Sequence, residues 1–291
     1  MKNTFFQKNI VVTGGGSGLG RAFALEAARR GARAVLVADL DEGRSLSLVK
    51  ELEAHGAQGF FQHCDVADPD AVAMLGQRAC EVLGRVDYAF NNAGVAAGGP
   101  FLETPMADWH WLLGPNLFGI IHGCRTFGAI MKEQGGGHLV NTASLAAYGC
   151  LPEMSLYNVS KAGALMLSET LRAELRPLGI KVSVICPAFV KTNLAERSRT
   201  PRPEYQRLAH LMLDRSKVMP ERIARSVFNQ LERNKLYIFP TWDAHLVATL
   251  RRLTPGLMIW GVGRLWPRIE RIMMARAAKL ESEHETEQKN A

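Results

Sequence analysis

Paired cysteines are missing from this chain of 291 residues: the five present, Cys64, Cys80, Cys124, Cys150 and Cys186, are scattered, odd in number and form no C-x-x-C pair. That argues against a disulfide scaffold or a cysteine zinc site and points to reduced thiols in a cytoplasmic protein. Long apolar runs are missing as well. No uninterrupted stretch approaches the ~20 residues of a membrane span. Met1 to Lys8 lacks the apolar centre of a secretion signal, so the cytoplasm is the expected address. Charge of one sign is not in strong excess: 35 Lys and Arg against 28 Asp and Glu leave a formal net charge of +7, too mild over this length to imply nucleic acid. His55, His63, His110, His122, His138, His210 and His245 keep no ligand spacing, so no metal is expected. The acidic residues form no pair suited to glycoside or metal chemistry, and the absence of a G-x-S-x-G elbow argues against a serine hydrolase.

What is present is the raw material of a large core: 47% apolar and 22% charged residues. Short β-branched runs alternate with longer stretches of helical period. Strands are expected at Ile10–Val12, Ala34–Val37, Gly59–Cys64, Val86–Phe90, Leu139–Thr142, Val182–Ile185 and Tyr237–Phe239. Helices are expected at Gly20–Arg30 and Glu42–His55, after Asp68-Pro69, and over 106–133 and 155–177. Strands without polar alternation, separated by helices, predict an α/β fold: a single Rossmann-like domain with a doubly wound parallel sheet of about seven strands and helices on both faces. Residues 1–240 make up that domain, and 241–291 form a helical extension with a charged tail, Glu281 to Asn290, expected to fray. Ligand sites in such a sheet lie at the carboxyl ends of the strands.

Thr13-Gly14-Gly15-Gly16-Ser17-Gly18-Leu19-Gly20 occupies the first such end. Its spacing is Gly14-x-x-x-Gly18-x-Gly20 rather than G-x-G-x-x-G. Glycines between a strand and a helix permit a tight turn and let backbone approach a pyrophosphate at the helix N-terminus. Gly14, Gly16, Ser17, Gly18, Leu19 and Gly20 are therefore candidate cofactor contacts. Asp39 ends the second strand, where a carboxylate can accept from ribose hydroxyls and repel a 2′-phosphate. Ser17 and Leu40 stand where an NADP site would carry a basic residue, and Arg21 and Arg44 are less well placed. NAD is the expected cofactor, NADP the alternative; the plain reading of Asp39 is a helix cap.

Tyr157-Asn158-Val159-Ser160-Lys161 places a phenol and an ammonium on one helix face at i and i+4. An ordinary tyrosine titrates near 10, and a neighbouring cation favours its phenolate, which suits proton exchange with an alcohol or ketone. Alone the pair is a commonplace of surface helices. Ser144 precedes Tyr157, Asn91-Asn92-Ala93-Gly94 ends the fourth strand, and Asn116 lies in the next helical stretch.

With the glycine loop, these motifs make residues 8–240 resemble the short-chain dehydrogenase/reductase family. The resemblance implies Tyr157 as catalytic acid/base, Lys161 lowering its pKa and holding the nicotinamide ribose, Ser144 bonding the substrate oxygen, and Asn116 holding a water that relays protons from Lys161. It implies that Asp65 and Val66 contact adenine, that Asn92, Ala93 and Gly94 flank the adenosine and brace the sheet, and that Pro187, Val190 and Thr192 hold the carboxamide. Ala188 departs from the family's P-G-x-V-x-T segment, so a slightly altered path is expected there. Relatives commonly pair through the helices 106–133 and 155–177, so a homo-oligomer, dimer or tetramer, is expected.

The residues thus predict an oxidoreductase moving a hydride between a nicotinamide cofactor and a secondary alcohol or ketone. Leu145 to Met154, Phe189 and Leu194 offer the pocket a mostly apolar lining, which suits a hydrophobic small molecule. Arginines between Phe189 and Met219 either face solvent or meet an acidic substrate group. Other readings are an NADP-dependent ketone reductase of the same family, a nucleotide-sugar epimerase, which the glycine spacing disfavours, and a non-catalytic cofactor sensor. Trp242, Leu246, Leu250, Leu253, Leu257, Trp260 and Leu265 alternate with arginines in the extension, either packing on the body or a second copy, or touching a membrane surface.

Overall fold

The computed structural model describes residues 4–289 apart from 197, 203, 205, 208–215 and 217. Seven segments form one sheet in the order β3-β2-β1-β4-β5-β6-β7: β1 Asn9–Thr13, β2 Ala34–Asp39, β3 Gln58–His63, β4 Tyr88–Asn91, β5 Gly137–Thr142, β6 Ile180–Ile185 and β7 Tyr237–Ile238. All neighbours are parallel. β1 and β4 are buried along their whole length, and only the outer strand β3 is largely half-exposed, as expected of strands covered on both faces. Strand order reverses between β1 and β4, so their carboxyl ends open a crevice at the centre of the sheet.

The helices are α1 Gly18–Arg29, α2 Glu42–Ala54, α3 Pro69–Leu83, α4 Met106–Leu113, α5 Gly119–Glu133, α6 Ala146–Gly149, α7 Ser155–Glu174, α8 Pro220–Leu231, α9 Trp242–Leu253 and α10 Pro255–Lys289. Asp41 caps α2 by accepting from Arg44 N at 3.0 Å, and Asp68 with Pro69 starts α3 as the sequence predicts. One face of the sheet packs an aromatic cluster, Phe5, Tyr88, Phe90 and Phe228, with ring centroids 4.4–5.6 Å apart; α1 and α8 cover it. Phe127, Leu139 and Val182 belong to the core of the other face.

Several boundaries shift by a residue or more, and four of the shifts have a local cause, three of them a proline. The stretch 106–133 is divided by a π-helical turn, Gly114–Phe118, containing Pro115. Proline has no N–H for the i→i−4 bond and its ring crowds the preceding turn, so the helix widens there. The stretch 155–177 leaves α-helix at Glu174 just before Arg176-Pro177, and β7 stops two residues before Pro240. β4 begins at Tyr88 rather than Val86 because the Gln134 amide takes both the N–H and the carbonyl of Val86. Helix α10 continues through the charged tail to Lys289. No glycine or proline follows Pro267, and Glu, Lys, Gln, Arg and Ala are strong helix formers; Asn290 lies outside the described residues.

Candidate active site

The first turn after β1 is shaped by close packing. Gly14 has φ +63°, and a Cβ there would lie 2.7 Å from Ala93 Cα. A Cβ on Gly20 would overlap the Gly14 carbonyl oxygen and crowd Asn92 Nδ2. Only glycine lets this loop fold back on itself beside β4. Gly18, also at positive φ, faces Thr192, whose Cγ2 would be 3.3 Å from an added Cβ. Ser17 occupies the N-cap of α1 but makes no side-chain cap bond, and the first turn has no acidic residue. The α1 N-terminus therefore keeps uncapped N–H donors and its positive dipole end, the arrangement that suits a phosphate. Leu19 is half-buried against the core beneath.

Asp39 does not cap the following helix; Asp41 does. The Asp39 carboxylate instead accepts from Gly16 N at 2.8 Å and Asp41 N at 3.0 Å, which holds it against the glycine loop. The two cations that offered an NADP alternative carry partners of their own. Arg21 meets both Glu51 oxygens at 2.6 Å, and Arg44 lies 3.4 Å from Asp41 and 3.5 Å from Glu196. Asp65 and Val66 follow β3, whose register sets His63 beside Asp39. Asp65 is exposed and accepts from Ala67 N, whereas Val66 is buried against Gly119.

Across the crevice, Asn92 Nδ2 donates to Thr13 O at 3.1 Å and its Oδ1 accepts from Thr142 Oγ1 at 3.2 Å, joining the ends of β1, β4 and β5. Thr13, which sequence reasoning passed over, receives the N–H groups of Asn92 and Ala93 on its hydroxyl. A threonine at the end of a buried strand was the available sign. Gly94 leaves room for its neighbours, since an added Cβ would sit 2.8 Å from Asn116 Oδ1 and 3.7 Å from Lys161 Nζ.

Tyr157, Ser160 and Lys161 are buried on α7. Lys161 Nζ donates to Thr142 O at 3.0 Å and lies 5.7 Å from the Tyr157 ring centroid. The lysine's seat is a backbone carbonyl, which no residue identity announces. Burial pushes the Lys161 amine down to about 8. Burial also raises the Tyr157 phenol, with a Ser144 hydrogen bond pulling the other way. Both directions follow from desolvation of the charged form in the closed crevice.

Asn116, fully buried in the π-turn, spends its amide on Val95: Oδ1 accepts from Val95 N at 2.8 Å and Nδ2 donates to Val95 O at 2.9 Å. Its side chain braces the segment after β4. Ser144 Oγ accepts from Ala146 N at 3.1 Å. Between Ser144 and Tyr157, Cys150 and Glu153 adopt positive φ of 48° and 63°, strain of the kind found beside functional sites.

After β6, Pro187 O receives Leu145 N at 2.8 Å, Val190 is buried, and Thr192 reaches the glycine loop. Ala188 does not adopt positive φ, so its methyl costs no backbone strain. Part of the stretch Phe189–Met219, including Arg197, Arg215 and Lys217, lies outside the described residues. Arg199 is 3.4 Å from Asp108 and stacks over Trp111 at 4.2 Å, and Arg202 pairs with Glu103. Both arginines are exposed, in line with the solvent-facing reading, and their ion pairs fasten the segment to the chain around α4. Among the described residues, no group of three or more His, Cys, Asp or Glu could hold a metal.

An uncapped helix end behind a glycine turn, a carboxylate fixed beside it, and a buried tyrosine–lysine pair across the same crevice fit a nicotinamide dinucleotide and define a dehydrogenase. The chain belongs to the short-chain dehydrogenase family, whose model matches residues 8–203. It is 41% identical over 186 residues to the probable oxidoreductase EphD of Mycobacterium tuberculosis, a match covering 64% of this chain but only 31% of that protein. It is 35% identical to a 3beta-hydroxysteroid dehydrogenase of Mediterraneibacter gnavus, over 67% of this chain and 70% of that one. A short-chain dehydrogenase/reductase from Burkholderia phymatum, solved in complex with NAD, superposes with a TM-score of 0.81 at 36% identity, over 87% of this chain and 95% of that chain. A relative from Sphingobium yanoikuyae with a TM-score of 0.72, 25% identical over 86% of this chain and 95% of that one, was solved with NADPH.

Proposed function

We propose that the protein is an NAD-preferring dehydrogenase of a hydrophobic secondary alcohol, or the reductase of the matching ketone, with Tyr157 as its acid/base. The observation that carries this reading is Tyr157, buried beside Ser144 and Lys161 at the crevice the glycine loop faces. A bound nicotinamide supplies or accepts the hydride. Gly14, Gly16, Ser17, Gly18, Leu19 and Gly20 cradle the pyrophosphate, Asp39 accepts from the adenosine ribose, Asp65 and Val66 bound the adenine, and Asn92, Ala93 and Gly94 line the adenosine side. Pro187, Val190 and Thr192 hold the carboxamide end. In ketone reduction Tyr157 gives its phenol proton to the substrate oxygen, Ser144 donates a hydrogen bond to that oxygen, and the Lys161 cation offsets the charge left on the phenolate. Asn116 positions this group through Val95.

NAD preference rests on Asp39, an anion held where a 2′-phosphate would come, and on Arg21 and Arg44 being engaged by carboxylates. A hydrophobic substrate rests on the apolar segment Leu145–Leu151 and on Phe189, 42% exposed. Pairing of subunits along α5 and α7 is supported by the exposed Phe118, Val159 and Met166 beside and on them.

The test is a panel of cyclic and long-chain ketones with NADH and with NADPH, followed by nicotinamide absorbance, beside Tyr157→Phe. The native protein is expected to turn over mainly with NADH. Tyr157→Phe is expected to keep NADH affinity and lose turnover by about 10²–10⁴-fold; a variant as active as the native protein refutes the mechanism. Because the Lys161 amine sits at about 8, it loses its charge as pH rises through that value. Ketone reduction should accordingly hold steady below about pH 8 and fall above it, whereas a profile flat to pH 10 removes the cation from the mechanism.

A further inference from the structure

Helix α9 has two unlike faces. Ala244 and Ala248 are buried, and the helix packs on α6. Trp242, Leu246, Leu250 and Leu253 point the other way, with Trp242 78% and Leu253 73% exposed. At 100° per residue those four fall within an arc of about 80°, opposite the two alanines. Beyond Thr254, α10 continues the exposure with Leu257, Ile259, Trp260, Leu265, Ile269 and Ile272. Arg251, Arg252, Arg264, Arg268 and Arg271 accompany them, against Asp243 and Glu270 as the acidic residues of 242–275. No described helix is long and apolar enough to cross a membrane.

We propose that α9 and the first half of α10 form a docking surface for an anionic lipid bilayer. The leucines, isoleucines and tryptophans enter the boundary between headgroups and acyl chains while the arginines meet the negative surface. Apolar burial and electrostatic attraction add in this mode of binding, and exposed tryptophan is suited to the wet edge of an apolar layer. Charge decides between this occupant and a second copy of the chain. A two-fold contact sets the same patch against itself, which would oppose arginine to arginine, whereas an anionic sheet complements the whole row at once.

The experiment is flotation of the full chain with vesicles of phosphatidylcholine alone and of phosphatidylcholine mixed with phosphatidylglycerol, at low and high salt. The protein should rise with the mixed vesicles at low salt, remain behind with the neutral ones, and be released by salt. Combined Arg264→Glu, Arg268→Glu and Arg271→Glu should weaken binding by about 100-fold, and Trp242→Ala with Trp260→Ala by about 10-fold. All five side chains are exposed, and circular dichroism checks that each variant stays folded. Failure of the native chain to float with the mixed vesicles overturns the proposal, as does equal binding to both kinds of vesicle. Light scattering that finds a native dimer made monomeric by the paired tryptophan substitution, without flotation, assigns the surface to a second copy instead.

Discussion

Phe228 and Leu253 are both large apolar side chains on amphipathic helices, yet they meet opposite fates. Phe228, on α8, is fully buried between Phe5 and Phe90. Leu253, on α9, stays 73% exposed although the same helix buries its alanines. A helical period tells which residues share a stripe; whether anything covers the stripe depends on how many neighbours the topology delivers. The sheet offers α8 an apolar face and α1 beside it. Among the described residues, α9 packs mainly on α6 and α10, with Phe239 against its His245. Stability is therefore concentrated in the sheet and its helices, and apolar surface is left over in the extension.

That contrast can be broken at its strongest point first. Phe228→Ala empties the centre of the aromatic cluster and should cost about 3–5 kcal/mol of unfolding free energy, measured by denaturant titration. A loss below about 1 kcal/mol would mean that the cluster is not packed as described.

Next comes Gly20→Ala. Its methyl meets the Gly14 carbonyl and Asn92, so the outcome should be about 1–3 kcal/mol of destabilisation with weakened NADH binding. In a helix where alanine has the higher intrinsic preference, an unchanged melting temperature would show that the loop opens freely.

Within the core, His138 offers a pH lever. It is buried on β5, with Nε2 2.8 Å from Ser183 Oγ, and burial pushes it down to about 3. Its folded pKa lies below the ordinary 6.5, so the unfolded chain takes up the proton first. The neutral ring's contribution is intact above about pH 6.5 and is lost as pH falls toward 3. His138→Gln should flatten the stability curve across that window. An identical curve would assign acid unfolding to other groups.

Smaller still is the cofactor switch. Asp39→Ala, which removes the anion but leaves the Gly16 N–H in place, should move the NADH to NADPH ratio of kcat/KM by about 10-fold toward NADPH. No movement would take Asp39 out of cofactor choice. At the far end of the comparison, Leu253→Ala should change stability by less than about 0.5 kcal/mol, and a loss near that of Phe228→Ala would show that the extension is covered after all.

The fold was largely legible because central strands of a parallel sheet are buried on both faces and read as unbroken apolar runs. The candidate site was legible in part because glycines, a Tyr-x-x-x-Lys pair and asparagines at strand ends are chemically distinctive. What stayed hidden was made of backbone and of competition. Lys161 rests on the Thr142 carbonyl, and any residue carries a carbonyl. The amide of Asn116 braces Val95, a partnership set by the π-turn at Pro115. Arg199 and Arg202 face solvent as the sequence suggests, but their partners Asp108 and Glu103, about 90 and 100 residues away in the chain, are set by the fold.

The sequence by itself determined the alternation of strands and helices and the glycine turn at the first strand end, because these depend on local stereochemistry and on the period of apolar residues, and its motifs carried the resemblance to the family. Tertiary structure alone decided that Asp41 rather than Asp39 caps α2, that burial raises the Tyr157 phenol while lowering Lys161, and that the apolar stripe of α9 faces outward. Each of those outcomes turns on which distant segment fills the space beside a side chain, and desolvation and pairing follow from that neighbour rather than from the residue's own place in the chain.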